Sequence, residues 1–219
     1  MSVVTFLNGM RINNLQWGGD HGLGISQVGM ESAEVIKGPM SLIYTGDATG
    51  GLLYLKDGSF APQNSYSIQV NSQFESVNIG TQNSIVYRLS GKKLRMSAAG
   101  IFSSYADYKL PNGNYLSDSR LQDYGGKFKL GYNSGKWNVE LNYLYSNSRV
   151  GIPGHTHDAL ATPESFMLDV QESGFSLPHQ IIQNHFANIK TSYFISSKHK
   201  MEFYLNHGYN NLKEFEEKI

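Results

Sequence analysis

Two short stretches near the amino terminus decide the fold of this sequence: AEVIKGPMSLIY at residues 33–44 and DATGGLLYL at residues 47–55. Gly38-Pro39 ends the apolar run of the first stretch, because glycine permits turn conformations and proline removes a backbone donor. Gly50-Gly51 opens the continuous apolar run of the second, which is typical of a fully buried strand. The two stretches predict a small α+β unit over residues 1–60, a marginal size for independent stability.

The rest of the chain alternates apolar and polar side chains with period two, most clearly in WNVELNY at residues 137–143. This period is that of β-strands with two unlike faces. Several of the predicted strands exceed ten residues, which suits a tilted strand crossing a bilayer in about nine to eleven residues. Seven strands are predicted, near residues 65–75, 82–91, 93–106, 122–133, 136–149, 184–196 and 199–212.

The predicted connections alternate in length. Gly91-Lys92, Asn133-Ser134-Gly135 and Ser196-Ser197-Lys198 are tight turns, whereas residues 106–121 and 150–183 form long loops. Short turns on one side and long loops on the other are typical of an outer-membrane barrel. We therefore expect both long loops to face the outside of the cell.

Aromatic residues cluster near the predicted strand ends, as girdles at the two membrane interfaces require. A soluble sandwich with Greek-key connections could have similar strands, but the alternation of connection lengths favours an antiparallel membrane barrel. The expected girdle comprises Tyr66, Tyr105, Tyr108, Tyr124, Tyr132, Trp137, Tyr143, Tyr145 and Tyr209.

The composition excludes several classes of protein. The 219 residues include 18 basic and 18 acidic side chains, so the net charge of zero lacks the basic footprint of a nucleic-acid-binding protein. The absence of cysteine excludes disulfides, thiolate metal sites and cysteine nucleophiles. A mean hydropathy of −0.36 without a long apolar run argues against a helical membrane span. The amino terminus does not resemble a signal peptide.

The two opening stretches, together with FLNGMRI at residues 6–12, resemble the second half of the plug domain of TonB-dependent outer-membrane receptors. Their order and spacing match three segments of the family: a "DG-x-R" turn, an "EVIKGP-x-S" segment and an "A-x-GG" segment. In the first segment, Asn8 replaces the usual aspartate. The matching positions, which we expect to maintain the plug fold, are Gly9, Arg11, Glu34, Lys37, Gly38, Pro39, Ser41, Gly50 and Gly51.

The resemblance implies an incomplete receptor, with residues 1–60 as half of the plug and residues 61–219 as the first strands of a barrel of about 22. We expect no signal peptide, TonB-contacting box or first plug half in this chain. The implied location is the outer membrane of a Gram-negative bacterium. The implied partners are outer-membrane lipid, the TonB-ExbB-ExbD energy-coupling complex and a metal or metal-chelate ligand, with no nucleic acid and no required cofactor. Glu34 and Lys37 are expected to pair with charges inside the barrel.

Histidines mark the candidate substrate site. His155 and His157, followed by Asp158, supply the imidazole and carboxylate ligands that suit zinc. Asp20 and His21 lie in the plug loop that the resemblance places at its outer apex. The combination is similar to the outer-membrane zinc receptors, which implies zinc as a transported substrate. His179 and His185 are weaker candidates, for which a girdle position is also expected.

Other functions remain open at this point. A ferric siderophore, haem or cobalamin could be the cargo of the same machinery, and Arg11, Arg120 and Arg149 are available to recognise such ligands. A metal-dependent hydrolase is disfavoured because no alternation of strands and helices is present. No Ser-His-Asp arrangement or phosphate-binding glycine loop points to an enzyme. A purely adhesive barrel is disfavoured by the plug motif.

Overall fold

The computed structural model describes residues 3–12, 25–153 and 162–216, in which strands dominate. Two short 3-10 helices cover Gly38–Ile43 and Pro163–Phe166. Within these ranges no helix has the length and apolar character needed to cross a membrane. The strands are β1 (Val4–Leu7), β2 (Met10–Ile12), β3 (Met30–Ile36), β4 (Leu52–Asp57), β5 (Ser65–Glu75), β6 (Gly80–Ser90), β7 (Leu94–Tyr105), β8 (Tyr108–Lys109), β9 (Tyr115–Leu116), β10 (Leu121–Asn133), β11 (Trp137–Gly151), β12 (Met167–Leu168), β13 (His179–Phe194) and β14 (Lys200–Phe215).

The first four strands form the sheet of the small unit, in the order β2-β1-β4-β3. β1 and β2 are joined by Asn8 and Gly9, whose φ angles of 51° and 85° allow a two-residue hairpin turn. β1 pairs in parallel with β4, and β4 pairs antiparallel with β3. Leu52 is fully buried, as its continuous apolar run predicts. We call residues 3–12 and 25–60 the plug unit.

Seven long strands form one antiparallel sheet, in the order β14-β13-β11-β10-β7-β6-β5. They contain between 11 and 16 residues, and all neighbouring pairs are antiparallel with continuous register. The strand positions agree with the period-two prediction. The predicted fold class, a small plug with part of an antiparallel barrel, is confirmed.

The two faces of this sheet have opposite character. On the face turned away from the plug unit, Ile68 is 60% and Leu205 is 67% exposed. On the face turned toward the plug unit, Ser146 and Asn184 are almost completely buried, and their side chains are hydrogen-bonded to each other. A sheet that turns apolar side chains outward and polar ones inward has the polarity of a membrane barrel wall.

One connection departs from the predicted alternation. Residues 76–79 join β5 to β6 at the end where the long loops lie, yet they form a tight turn. Backbone carbonyls of this turn accept hydrogen bonds from Ala106 (2.8 Å) and Lys109 (3.3 Å) in the first long loop. The neighbouring loop therefore folds over this short turn. That loop and the next also share a small sheet, β12-β9-β8.

The main hydrophobic core lies between the plug unit and the large sheet. Leu7, Met10, Ile12, Val28 and Leu55 of the plug unit pack in one buried cluster with Ile101, Leu144 and Phe186 of the large sheet. The other face of the plug sheet has its own small cluster, formed by Val4, Phe6, Ala48 and Leu52. The plug unit therefore depends on the large sheet for much of its buried apolar surface.

Candidate functional site

Arg11 connects the edge of the plug sheet to the segment before β4. Its guanidinium donates to both carboxylate oxygens of Asp47, one of them at 2.9 Å, and to Thr45 Oγ1 at 3.3 Å. This fork geometry is the strong form of an arginine–carboxylate pair. The hydrogen bonds from Arg11 hold the pKa of Asp47 below its usual range. Arg11 is therefore engaged in the plug and is not free to recognise a ligand.

The Gly-Pro-x-Ser segment makes a closed turn. Gly38 has φ +72°, Pro39 begins the 3-10 helix, and Ser41 is 1% exposed with its Oγ 2.8 Å from the Gly38 carbonyl and 2.7 Å from the Ala48 carbonyl. Gly51 has φ +112°, and a Cβ there would lie 3.1 Å from the Ile36 carbonyl oxygen. Gly38, Ser41 and Gly51 thus shape the backbone of the plug unit.

Glu34 pairs within the plug unit and not with a barrel charge, which corrects the prediction for Glu34. Glu34 accepts a hydrogen bond from Lys56 of the adjacent plug strand at 2.5 Å, and this bond raises the pKa of Lys56. Lys37 is exposed at the end of β3. Glu34 and Lys56 are diagonal neighbours on the same face of β3 and β4, two register positions apart, which brings their charged groups into contact.

A buried ion pair joins the plug unit to the large sheet. Lys127 of β10 contacts Asp57 at the end of β4, and the two side chains are only 3% and 2% exposed. The backbone N–H of Asp57 donates to Asn8 Oδ1 at 3.0 Å, which restrains the backbone at the end of β4. The second carboxylate oxygen of Asp57 has no hydrogen-bond partner among the described residues. A charge buried here is costly without its partner, so the pair restrains the plug unit.

Further contacts to β10 and its neighbours lie on both sides of this pair. Asp123 accepts hydrogen bonds from Ser26 of the plug unit at 3.0 Å and from Ser148 of β11 at 2.6 Å. Lys129 donates to the Gly58 carbonyl at 2.7 Å, and its ammonium lies 4.8 Å from the Phe60 ring centre. Together these contacts attach the segments flanking the plug sheet to a single strand, β10.

Two neighbouring cavities lie between the plug unit and the large sheet, and they share several lining residues. One of 820 Å³ is next to β3 and β4, and one of 530 Å³ extends toward the long loops. Both are lined by Ile25, Gln27, Gln82 and Ile101. Amides and hydroxyls dominate the barrel side of the larger cavity, from Gln69, Asn71, Gln73, Gln82 and Ser84. This lining offers many hydrogen bonds and little charge.

Arg120 organises the two long loops rather than a ligand site. It is 1% exposed, donates to both carboxylate oxygens of Asp107 at 3.0 and 2.9 Å, and contacts Asp118 and Glu172 at 3.4 and 3.2 Å. Burial raises the pKa of Asp107, and the guanidinium of Arg120 opposes that rise. Arg120 is therefore fully occupied, and the proposal that it recognises cargo is not supported by its position.

His179 and His185 lie on the outer face of β13, and both are already hydrogen-bonded. His179 Nδ1 is 2.8 Å from the Ser176 carbonyl, and its Nε2 is 3.1 Å from Arg149. His185 Nδ1 is 2.8 Å from the Tyr143 hydroxyl, among aromatic rings. The main metal candidates Asp20, His21, His155, His157 and Asp158 lie outside the described residues. Among the residues that are described, no group of three His, Asp or Glu side chains could hold a metal ion.

Sequence reasoning missed Asp57, Lys127 and Asp123. The sequence did contain a signal for Lys127. It lies two positions after Gly125 in β10, on the inward face of a strand whose opposite face is apolar. An inward lysine in such a strand needs a buried partner. The partner, Asp57, is 70 residues away in the chain and could not be chosen from the sequence.

No protein-family model matches the sequence. Solved structures do match its fold. The siderophore receptor PirA from Acinetobacter baumannii is 14% identical with a TM-score of 0.54, and the match covers 95% of this chain and 35% of that receptor. A double mutant of the ferric enterobactin receptor PfeA from Pseudomonas aeruginosa is 11% identical with a TM-score of 0.55, covering 96% of this chain and 37% of that receptor.

These likenesses concern the fold. The chain spans about a third of the length of the receptors that it matches. It has the fold of the corresponding part of those receptors, a plug sheet packed on the inner face of antiparallel barrel strands.

Proposed function

We propose that this chain contributes part of the plug and seven barrel strands to a TonB-dependent receptor that imports a scarce nutrient across the outer membrane of a Gram-negative bacterium. One observation carries the proposal: a small sheet is attached to the mostly polar face of a large sheet whose other face is apolar. An apolar outward face suits lipid, and a polar inward face suits a water-filled path. A plug across that path makes passage dependent on its displacement.

The proposed mechanism begins with a plug that closes the path at rest. The Lys127–Asp57 pair and the Asp123 hydrogen bonds hold the plug unit against β10. Ligand binding on the outer side would signal occupancy, and the TonB-ExbB-ExbD complex would supply the force that loosens these contacts. Since the buried pair is strong only while water is excluded, entry of water as the plug shifts would weaken it and favour release.

Two cargoes are proposed, each favoured by a different observation. The Asp20-His21 and His155-x-His157-Asp158 patterns favour zinc, which binds imidazole and carboxylate ligands without thiolates. The fold likeness to a siderophore receptor and a ferric enterobactin receptor favours a ferric siderophore as the alternative. Haem and cobalamin are the remaining chelates of the same class.

Uptake of labelled cargo by whole cells tests the import function and separates the cargoes. A deletion strain and its complemented form are compared for accumulation of radioactive zinc and of radioactive iron carried by a siderophore. Dependence of uptake on both the receptor and the energy-coupling complex is expected. Uptake of neither cargo above the deletion background would contradict both assignments.

Calorimetry on the purified receptor tests the zinc residues. A His21→Ala, His155→Ala double variant is expected to bind zinc more weakly than the unmodified receptor, and the affinity of the latter should fall as the histidines become protonated at lower pH. His199→Ala, at the exposed turn between β13 and β14, is the matched control. Equal zinc affinity in all three proteins would contradict zinc as the cargo and would favour the iron chelate.

A further inference from the structure

The outer face of the large sheet carries an ordered set of side-chain rows near the long-loop end. Tyr145, His185 and Tyr209 are register partners across β11, β13 and β14 and form an aromatic row. Four positions further toward the loops, Arg149 and Lys213 occupy the same face on either side of Ile181. Between the two rows lies a row of amides, made by Asn147, Gln183 and Asn211.

Arg149 is held in place by two aromatic neighbours, and no acidic residue among the described residues pairs with it. Its guanidinium lies 4.6 Å from the Phe175 ring centre and 3.1 Å from His179 Nε2. His179 is itself fixed, since its Nδ1 is 2.8 Å from the Ser176 carbonyl and its ring stacks on Phe215 at 4.9 Å. With Nδ1 donating to that carbonyl, Nε2 is the acceptor for the arginine.

The charge of this row is not neutralised within the described ranges. No carboxylate in them lies within 4.0 Å of the charged groups of Arg149 or Lys213, and the Nε of Arg149 is buried without a hydrogen-bond partner. Glu214, the acidic neighbour of Lys213, faces the other side of the sheet and accepts from Gln180. A fixed guanidinium beside a second cation is suited to an oxyanion.

The height of the row places it at the level of lipid headgroups. A strand rises about 3.3 Å per residue, so four residues from Tyr145 to Arg149 span about 13 Å along β11. With a barrel tilt of about 35–45°, this is roughly 10 Å above the aromatic row. Aromatic girdles lie at the membrane interface, and Trp137 and Tyr193 supply the opposite girdle eight residues below. The Arg149 row then lies just outside the apolar zone.

We infer that Arg149 and Lys213 bind the phosphate of a phosphorylated glycolipid in the outer leaflet of the membrane. The phosphate lies over Ile181, between the two cations. Arg149 and Lys213 belong to β11 and β14, which lie about 10 Å apart because β13 separates them. The half-buried amides of Gln183 and Asn211 below meet the sugar hydroxyls, and the apolar surface around Ile189 and Leu205 receives the acyl chains. The inference rests on the membrane placement in the proposed function. It is separate from cargo binding, because this face is turned away from the plug unit.

Lipid binding by the purified receptor tests the inference. The probes are bisphosphorylated lipid A, its dephosphorylated form and phosphatidylglycerol, each in mixed detergent micelles. The test variant is Arg149→Gln, Lys213→Gln. The control is Lys92→Gln, Lys198→Gln, which removes the same charge from exposed turns at the opposite end of the sheet. Resistance of the unboiled barrel to unfolding on a gel verifies that each protein is folded.

The receptor and the control are expected to bind bisphosphorylated lipid A about 10- to 30-fold more tightly than the test variant, at ~1 kcal/mol per basic residue near an anionic surface. Equal binding by the test variant and the receptor would overturn the inference, as would equal affinity for the dephosphorylated lipid. Equal affinity for phosphatidylglycerol would contradict specificity for a glycolipid and would show that the site binds any anionic lipid. Uptake of cargo should be retained in the test variant. A receptor that does not fractionate with the outer membrane would overturn the proposed function as well.

Discussion

Replacing Lys127 by methionine is the sharpest test of how the plug unit is held. Methionine keeps most of the length of the lysine stem but removes the ammonium. The carboxylate of Asp57 would then be buried beside β10 without its ion-pair partner, and one of its oxygens already lacks a hydrogen bond within the described part of the chain. We expect the plug sheet to open locally much more often while the barrel remains folded.

The magnitude follows from the burial of the pair, at 3% and 2% exposure. Removing one partner of a buried ion pair costs about 3–5 kcal/mol, because the remaining charge is uncompensated. Each 1.36 kcal/mol changes an equilibrium about tenfold. The local opening of the plug sheet should therefore become more favourable by about two to nearly four orders of magnitude.

Hydrogen exchange with mass spectrometry on the intact receptor measures this opening. The amides of β4 are protected by pairing with β1 and β3, so their exchange reports loss of the plug sheet. Faster exchange is expected in β4 and not in the barrel strand β13. Lys92→Met, at an exposed turn, is the matched control and should leave exchange unchanged.

A double variant distinguishes an uncompensated charge from loss of packing. Lys127→Met combined with Asp57→Asn leaves no charge at the site and is expected to recover most of the protection, since neutral replacements of buried pairs are often tolerated. Unchanged exchange in the single variant would refute the reasoning. Equal loss of protection in the single and double variants would show that the lysine acts through packing.

Three further predictions concern the plug motif and the loops. Hydrogen bonds from Arg11 lower the pKa of Asp47 in the folded plug. Their contribution to plug stability should therefore be complete above the unfolded pKa of about 3.9 and should be lost as the pH falls through the lower folded value. In urea unfolding, the stabilities of wild type and Asp47→Asn should differ at pH 7 and converge in strong acid. Gly51→Ala should destabilise the plug by about 1–3 kcal/mol in the same assay, owing to its positive φ, whereas Gly46→Ala, with open space around it, should be nearly neutral. Arg120→Met should make both long loops sensitive to protease on whole cells, because three carboxylates lose their shared partner; unchanged resistance would contradict a structural role for that network.

The sequence by itself predicted the strands of the large sheet, because period-two alternation is a local property that each strand carries in its own residues. Tight turns and the glycine motif were equally local, and Gly51 indeed requires a positive φ. The prediction failed for Tyr105, which was assigned to the outer girdle. Its ring covers Gly80 on the inner face and its hydroxyl is 3.4 Å from Gln82, since its position in the register turns it inward.

Only the tertiary structure decided which charges meet. Arg11 and Arg120 looked available for a ligand but are satisfied by Asp47 and by the carboxylates of the loops. Arg149, which looked no different in sequence, is left without a carboxylate among the described residues. Lys127 finds Asp57 across 70 positions of the chain. Periodicity fixes the face on which a side chain lies, whereas its partner depends on how two sheets are packed against each other, and that packing is not encoded in any one segment.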